Sequence, residues 1–288
     1  MLLAACAAIS LVGANAQARA IALPPAAIYT DPPADKVHPA RMEVLHIPSG
    51  GVEINGVAYL AAGPGVHPTV VLFHGLPGNE KNLDLAQAIR RDGWNVVTLN
   101  YRGSWGSPGT FSFKGNLEDA QATLAYVRSP AVAAKLGVDT RRIVVMGHSM
   151  GGWVTAVTGG RDPALAGAAL ISAADMTSAA KGPPAVRLKL AEDNHESLNV
   201  GLQPMADEVA TLGPELSFAA AAPGLARHPL LVLTSDDGLG PRAEALAAEV
   251  RKRGGRVTTA HAATDHGWSD KRIRLESEVL TWLDSLPK

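Results

Sequence analysis

Arg142-Ile143-Val144-Val145-Met146 runs directly into Gly147-His148-Ser149-Met150-Gly151, and Gly152-Trp153 then opens a stretch with helical spacing. A short continuous apolar run of this kind suits a strand buried on both faces. The five residues after it have the pattern G-x-S-x-G, in which a serine stands on a sharp strand-to-helix turn with its hydroxyl lifted clear of the sheet. The glycines follow from the tightness of that turn: a side chain two residues before or after the serine would strike the neighbouring strand or helix. A chance glycine-rich turn is the plain alternative in a chain with 29 glycines. It leaves the strand before and the helix after unexplained.

Outward from this point the same alternation recurs. Short apolar runs at 69–73, 95–99, 166–171, 230–233 and 257–260 read as buried strands, and helical spacing appears at 82–91, 117–127, 153–158, 242–253 and 272–283. Parallel strands need a crossover that a helix usually supplies, so the pattern predicts an α/β domain with a mostly parallel sheet covered by helices on both faces. It begins with an antiparallel hairpin, because 42–47 and 52–60 flank Ser49-Gly50-Gly51. Residues 174–227 interrupt the rhythm with Pro183, Pro184, Pro204, Pro214 and Pro223 among weak helical stretches, too long for an ordinary connection. They read as an inserted cap within a domain spanning 42–288.

Composition narrows the function classes. Lys and Arg number 26 against 27 Asp and Glu in 288 residues, so no basic excess exists to neutralise phosphates and nucleic-acid binding is disfavoured. Hydrophobic content of 47% with 18% charged residues is a globular balance, which excludes disordered and collagen-like chains.

The first 18 residues are uncharged and almost wholly apolar, yet shorter than a bilayer span requires. They read as a secretory signal with small-x-small cleavage patterns at Ala14-Asn15-Ala16 and Ala16-Gln17-Ala18, although a basic n-region is missing. That predicts a periplasmic or secreted protein with no membrane span. Leu3-Ala4-Ala5-Cys6 resembles a bacterial lipoprotein box, but the apolar run continues past Cys6, where a lipid-anchoring box should end it. Residues 19–41, with Pro24, Pro25, Pro32, Pro33 and Pro39, read as an extended arm outside the core. Cys6 is the only cysteine, so cleavage leaves a mature chain without disulfides, thiol nucleophiles or Cys-ligated zinc.

The order of motifs resembles the α/β-hydrolase family over about residues 42 to 286. Phe73-His74-Gly75-Leu76-Pro77-Gly78 follows the first parallel strand and is similar to that family's oxyanion loop. The resemblance implies that the backbone N–H groups of Leu76 and Met150 form an oxyanion hole, where loss of one donor costs on the order of 3 kcal/mol. His74 is expected to brace this loop rather than transfer protons. Asn100-Tyr101-Arg102-Gly103 also looks like a family loop: Arg102 would brace its neighbours and Tyr101 or Trp105 would line the substrate entrance, unless the segment is simply a structural turn before Ser107-Pro108-Gly109.

A serine hydroxyl is a weak nucleophile until an imidazole takes its proton. The family places that histidine after the last strand, where Thr264-Asp265-His266-Gly267-Trp268 stands, so the resemblance selects His266 for Ser149, with His261 at the strand end as competitor. For the acid that orients it, Asp237, Asp236 and Asp175 all follow strands. Asp237 resembles the family acid best, in the order Ser…Asp…His and with Pro241 opening the next helix.

Two histidines five apart, without an HExxH pattern, imply no metal, and neither a P-loop nor a third glycine after Gly63-Pro64-Gly65 is present, so no cofactor is implied. Arg251-Lys252-Arg253 stand near a helix C-terminus, which favours cations. The resemblance is nearest to small esterases of dienelactone-hydrolase or prolyl-oligopeptidase-like type. The expectation is therefore a carboxylic ester hydrolase working on a small-molecule ester through an acyl-enzyme. A serine peptidase or amidase and a non-hydrolytic binding protein on the same fold stay open, but no propeller domain precedes the catalytic one, which favours esters over peptides.

Overall fold

The computed structural model describes residues 23–287, so the expected signal peptide, its cleavage sites and Cys6 lie outside the described residues. Eight strands, β1 (Arg41–Ser49), β2 (Val52–Leu60), β3 (His67–Phe73), β4 (Asn95–Leu99), β5 (Val138–His148), β6 (Gly167–Ile171), β7 (Leu230–Ser235) and β8 (Val257–Ala262), form one sheet in the order β1-β2-β4-β3-β5-β6-β7-β8. β1 and β2 make the antiparallel hairpin, Arg41 opposite Leu60 and Ser49 opposite Val52, and β2 also runs antiparallel to β4. All the remaining neighbours are parallel.

The helices are α1 (Leu83–Arg91), α2 (Phe113–Arg128), α3 (Pro130–Leu136), α4 (Met150–Arg161), α5 (Thr177–Ala180), α6 (Pro184–Glu192), α7 (Leu202–Ala210), α8 (Phe218–Leu225), α9 (Gly240–Lys252) and α10 (Arg272–Asp284). Strand residues alternate between two cores, as the two-residue period of a strand requires. Val70, Leu72, Val144 and Met146 pack with Leu85 and Ile89 of α1 and Val279 and Leu283 of α10. Val71, Phe73, Val145 and Ile143 face the other way, toward Phe113 and Leu117 of α2, Trp153 of α4 and Leu246 of α9. Both faces are thus covered, which explains why the strands read as continuous apolar runs. Helix α3 escaped the sequence reading because its short Ala-rich stretch has no clear period, although Pro130 in its first turn and Gly137 at its left-handed C-cap mark both ends.

Residues 174–227 hold α5 to α8. Of these, α8 packs on α4 and α9 with Phe218, Ala222 and Leu225 buried, so it serves as the crossover between β6 and β7 and covers the sheet. A side chain at Gly224 would meet the Gly160 carbonyl at 1.8 Å, which shows how closely α8 and α4 approach. The remainder of the segment is stitched to the loop after β4: Asn199 N donates to Gly103 O at 2.7 Å, Phe111 N to Asn199 O at 3.2 Å, and the Glu208 carboxylate of α7 accepts from Phe113 N and Lys114 N at the start of α2.

The arm is not wholly unpacked. Ala27 and Ile28, in a 3-10 turn at Ala26–Ile28, rest against the core under α1 and α10, and Arg91 donates to the carbonyl oxygens of both. A Pro-rich composition predicts extended backbone but says nothing about a single turn that finds an apolar edge. No helix among the described residues is long and apolar enough to cross a membrane.

Candidate active site

β5 ends at His148 and α4 begins at Met150, leaving Ser149 alone on the turn with φ 57° and ψ −123°. A non-glycine residue in this region costs of order 1–3 kcal/mol and persists only where the surroundings enforce it. Here they do: Ser149 N donates to Ile171 O, and Ser149 O accepts from Gly152 N and Ala174 N, all at 3.0 Å. The flanking glycines are dictated by close approach. A Cβ at Gly147 would lie 2.1 Å from Gly151 O, and one at Gly151 would lie 2.2 Å from Phe73 O.

The loop after β3 runs beside this turn, since a Cβ at Gly75 would come within 2.9 Å of Ser149 Cβ. Neither the Leu76 nor the Met150 N–H has a protein partner among the described residues, so both donors are free to meet an oxygen. His74 braces the loop. Its buried ring bonds Gly75 O through Nδ1 at 2.7 Å and tilts against Tyr101 at 4.6 Å between centroids. Burial pushes its pKa down to about 4, against the effect of the Gly75 hydrogen bond. Tyr101 is fully buried, donating its hydroxyl to His74 O, so it supports the loop and does not line an entrance. Trp105, 40% exposed, donates Nε1 to Pro77 O at 2.7 Å beneath the Lys81 ammonium. Arg102 ties its loop to α2 through Asp119 and Gly115 O.

Adjacent aspartates after β7 take different histidines. Asp237 Oδ2 stands 2.7 Å from His266 Nδ1, while its Oδ1 accepts from Leu239 N at 2.8 Å. Burial pushes the Asp237 carboxyl up, but the His266 and Leu239 hydrogen bonds outweigh it and hold the group below the usual carboxylate range. Asp236 points outward and meets His261 Nε2 at 3.1 Å, with His261 Nδ1 against Thr234 Oγ1. Asp175 is occupied elsewhere, accepting from Thr177 N and Oγ1 and from Phe218 N.

The His266 loop is held to the Ser149 turn by His148. His148 Nε2 lies 2.8 Å from His266 O, and the two rings tilt together at 4.6 Å. Among the described residues no hydrogen bond joins Ser149 Oγ to His266. Such bonds are often long in a ligand-free site and tighten with substrate.

Beneath the site lies a network the sequence reading missed. The Trp268 indole donates to Ser172 Oγ at 3.0 Å, and Ser172 Oγ lies 2.8 Å from Ser235 Oγ, so the ends of β6 and β7 and the His266 loop share one polar knot. Arg272 adds a second brace, from Nη1 to Gly267 O at 3.0 Å. Polar residues at the ends of apolar strands were the only signal available. Among the described residues no three His, Cys, Asp or Glu side chains converge as a metal site.

The family model described as serine aminopeptidase, S33, matches residues 65–216, just over half of the chain. This chain belongs to that family of α/β-hydrolases. The S33 match includes Leu76, Ser149 and Met150 but stops before Asp237 and His266, so the histidine loop stands on the geometry above. Among curated relatives, the α/β-hydrolase domain-containing protein WAV2 of Arabidopsis thaliana is 37% identical over 98 residues, 33% of this chain and 30% of that protein. An uncharacterized protein of Mycobacterium tuberculosis is 30% identical over 121 residues, 42% of this chain and 41% of that one. The matched segments thus span less than half of these relatives. Among solved structures, an esterase of Pyrobaculum calidifontis superposes with a TM-score of 0.66 at 25% identity, covering 86% of each chain. The acylaminoacyl peptidase of Pyrococcus horikoshii, at 16% identity and a TM-score of 0.64, covers 85% of this chain but is itself covered to 41%, and it shows shared fold alone.

Proposed function

We propose that this S33-family hydrolase cleaves carboxylic esters through an acyl-enzyme, with Ser149 as nucleophile, His266 as base and Asp237 as the acid that orients it. The observation that carries the reading is the 2.7 Å hydrogen bond from His266 to Asp237, made on the loop that His148 holds against the Ser149 turn. With Nδ1 given to Asp237, His266 keeps Nε2 for the serine proton. Ser149 Oγ attacks the ester carbon, the oxyanion meets the Leu76 and Met150 N–H groups, and the protonated His266 returns its proton to the departing alkoxide. Water, deprotonated by the same nitrogen, then releases the acid. No cofactor enters this sequence of steps.

Correspondence along 86% of both chains with a small esterase supports an ester substrate. The S33 description supports a second reading, removal of an amino-terminal residue from a peptide. p-Nitrophenyl acetate and an aminoacyl p-nitroanilide offered to the same preparation separate them: ester turnover at least a hundredfold above anilide turnover fits the first, the reverse ratio the second.

The chain from 174 up to α8 is proposed to cap the site. It leaves the sheet after β6 at the same edge as Ser149, and its Met176, Leu198 and Met205 share a core with Met150. Export is proposed on the apolar residues 1–18 alone.

A further inference from the structure

His148 sits at the variable position of the G-x-S-x-G turn and is almost completely buried, yet it belongs to no part of the acyl-transfer steps above. Its ring is wedged between two loops. On one side Nε2 faces His266 O at 2.8 Å, and a carbonyl can only accept, so Nε2 carries the hydrogen. On the other side a Cβ at Gly75 would lie 3.5 Å from His148 Nδ1, so the ring borders the backbone just before Leu76. With the hydrogen on Nε2, a neutral ring leaves Nδ1 as an acceptor, and that atom is buried without a partner among the described residues. An orphaned acceptor in a protein interior is a cost, and a phenyl ring would fill the same space without it. What phenyl lacks is the donor to His266.

We propose that His148 is a positioning residue that sets the separation between the Leu76 loop and the His266 loop, by donating Nε2–H to the His266 carbonyl and abutting Gly75 with the opposite edge of its ring. This rests on the reading of His266 as the base for Ser149. The charged and titratable groups around the ring are His266, Asp237 and Arg272. Burial first, and then the neighbouring His266, push the His148 pKa down to about 4, so the ring stays neutral beside the imidazolium that His266 becomes during acyl transfer. Two cations in contact at that point would oppose the step.

The experiment compares His148→Phe, which keeps an aromatic ring without the donor, with His148→Gln, which keeps a neutral donor without the ring. Steady-state turnover of p-nitrophenyl acetate is expected to lose roughly 10- to 100-fold in kcat for His148→Phe, with KM within about twofold, whereas His148→Gln recovers to within about fivefold of wild type. Wild-type kcat in the Phe variant, or equal losses in both, overturns the proposal. Should either variant fail to fold, imidazole nitrogen NMR on the wild-type protein decides: His148 is expected as the neutral Nε2–H form from pH 7 down to pH 5, and an Nδ1–H form or protonation near pH 6.5 overturns it. Failure of the underlying reading looks different, because a wild-type protein without ester turnover leaves the NMR result unaffected.

Discussion

Asp236 and Asp237 are neighbours in the chain, yet Asp237 reaches inward to His266 at 2.7 Å while Asp236 reaches outward to His261 at 3.1 Å. Substitution by Asn separates the two. Asp237→Asn is expected to lower kcat by about 10⁴, the size of effect known for loss of the triad acid in a serine protease, because it misplaces the tautomer of His266. Asp236→Asn, on an exposed pair, should leave kcat within about threefold. Asp175→Asn is expected to cost stability rather than turnover, since that carboxylate holds Thr177 and Phe218. Ester turnover of the three purified variants checks all three statements.

Two buried histidines predict how the fold responds to acid. His74 and His148 both have pKa values pushed down to about 4, by burial first in each case. In the unfolded chain they would take up a proton near the ordinary value of about 6.5, so between pH 6.5 and 4 the unfolded state binds more protons and stability falls with falling pH. Together they account for a loss of roughly 3–4 kcal/mol between pH 7 and pH 5. Burial also lowers the His228 pKa and adds to the measured fall, so the check is a comparison of urea unfolding at the two pH values: His74→Phe should lose roughly 2 kcal/mol less than wild type.

The Arg102 guanidinium, only 15% exposed, donates to the fully buried Asp119 carboxylate at 2.7 Å, and Ser49 Oγ donates to the same oxygen. Asp119→Ala leaves the guanidinium with the exposed Glu118 carboxylate alone, and takes the acceptor away from the Arg102 backbone N–H and the buried Ser49 hydroxyl. The expected destabilisation is about 3 kcal/mol, read as a lower urea midpoint with an unchanged slope.

Gly75 and Gly151 both lack room for a side chain, with different consequences. Gly151→Ala would place a methyl 2.2 Å from a backbone carbonyl of β3, which neither element can relieve locally, so little folded protein is expected. Gly75→Ala meets Ser149 Cβ at 2.9 Å and the His148 carbonyl at 3.3 Å, a milder overlap that a small parting of the Leu76 loop from the Ser149 turn relieves, so it should fold with a lowered melting temperature while kcat falls at least about tenfold. Thermal melts and ester turnover on the same samples distinguish the two.

Much of this was legible in the sequence because both faces of the sheet are covered. The strands showed as unbroken apolar runs, and Gly147 to Gly151 stood where a strand must turn into a helix. The pairing of Asp237 with His266 was legible only as a preference over Asp236, because adjacent residues on a loop differ in direction by a backbone turn that spacing does not encode. Prolines misdirected the reading of 174–227: Pro223 lies inside α8, so a helix that covers the sheet was grouped with the segment before it. The knot of Ser172, Ser235 and Trp268 was illegible, since its members lie 96 and 63 residues apart from Ser172 and meet only through the sheet order.

The central claim is that Ser149 is an activated nucleophile. Incubation with a fluorophosphonate probe followed by mass spectrometry of the digested protein tests it directly. The account predicts a single stoichiometric adduct on the peptide containing Ser149, absent in Ser149→Ala and greatly slowed in Asp237→Asn. A folded wild-type protein that takes up no probe, or takes it up equally with Ser149 replaced, contradicts it.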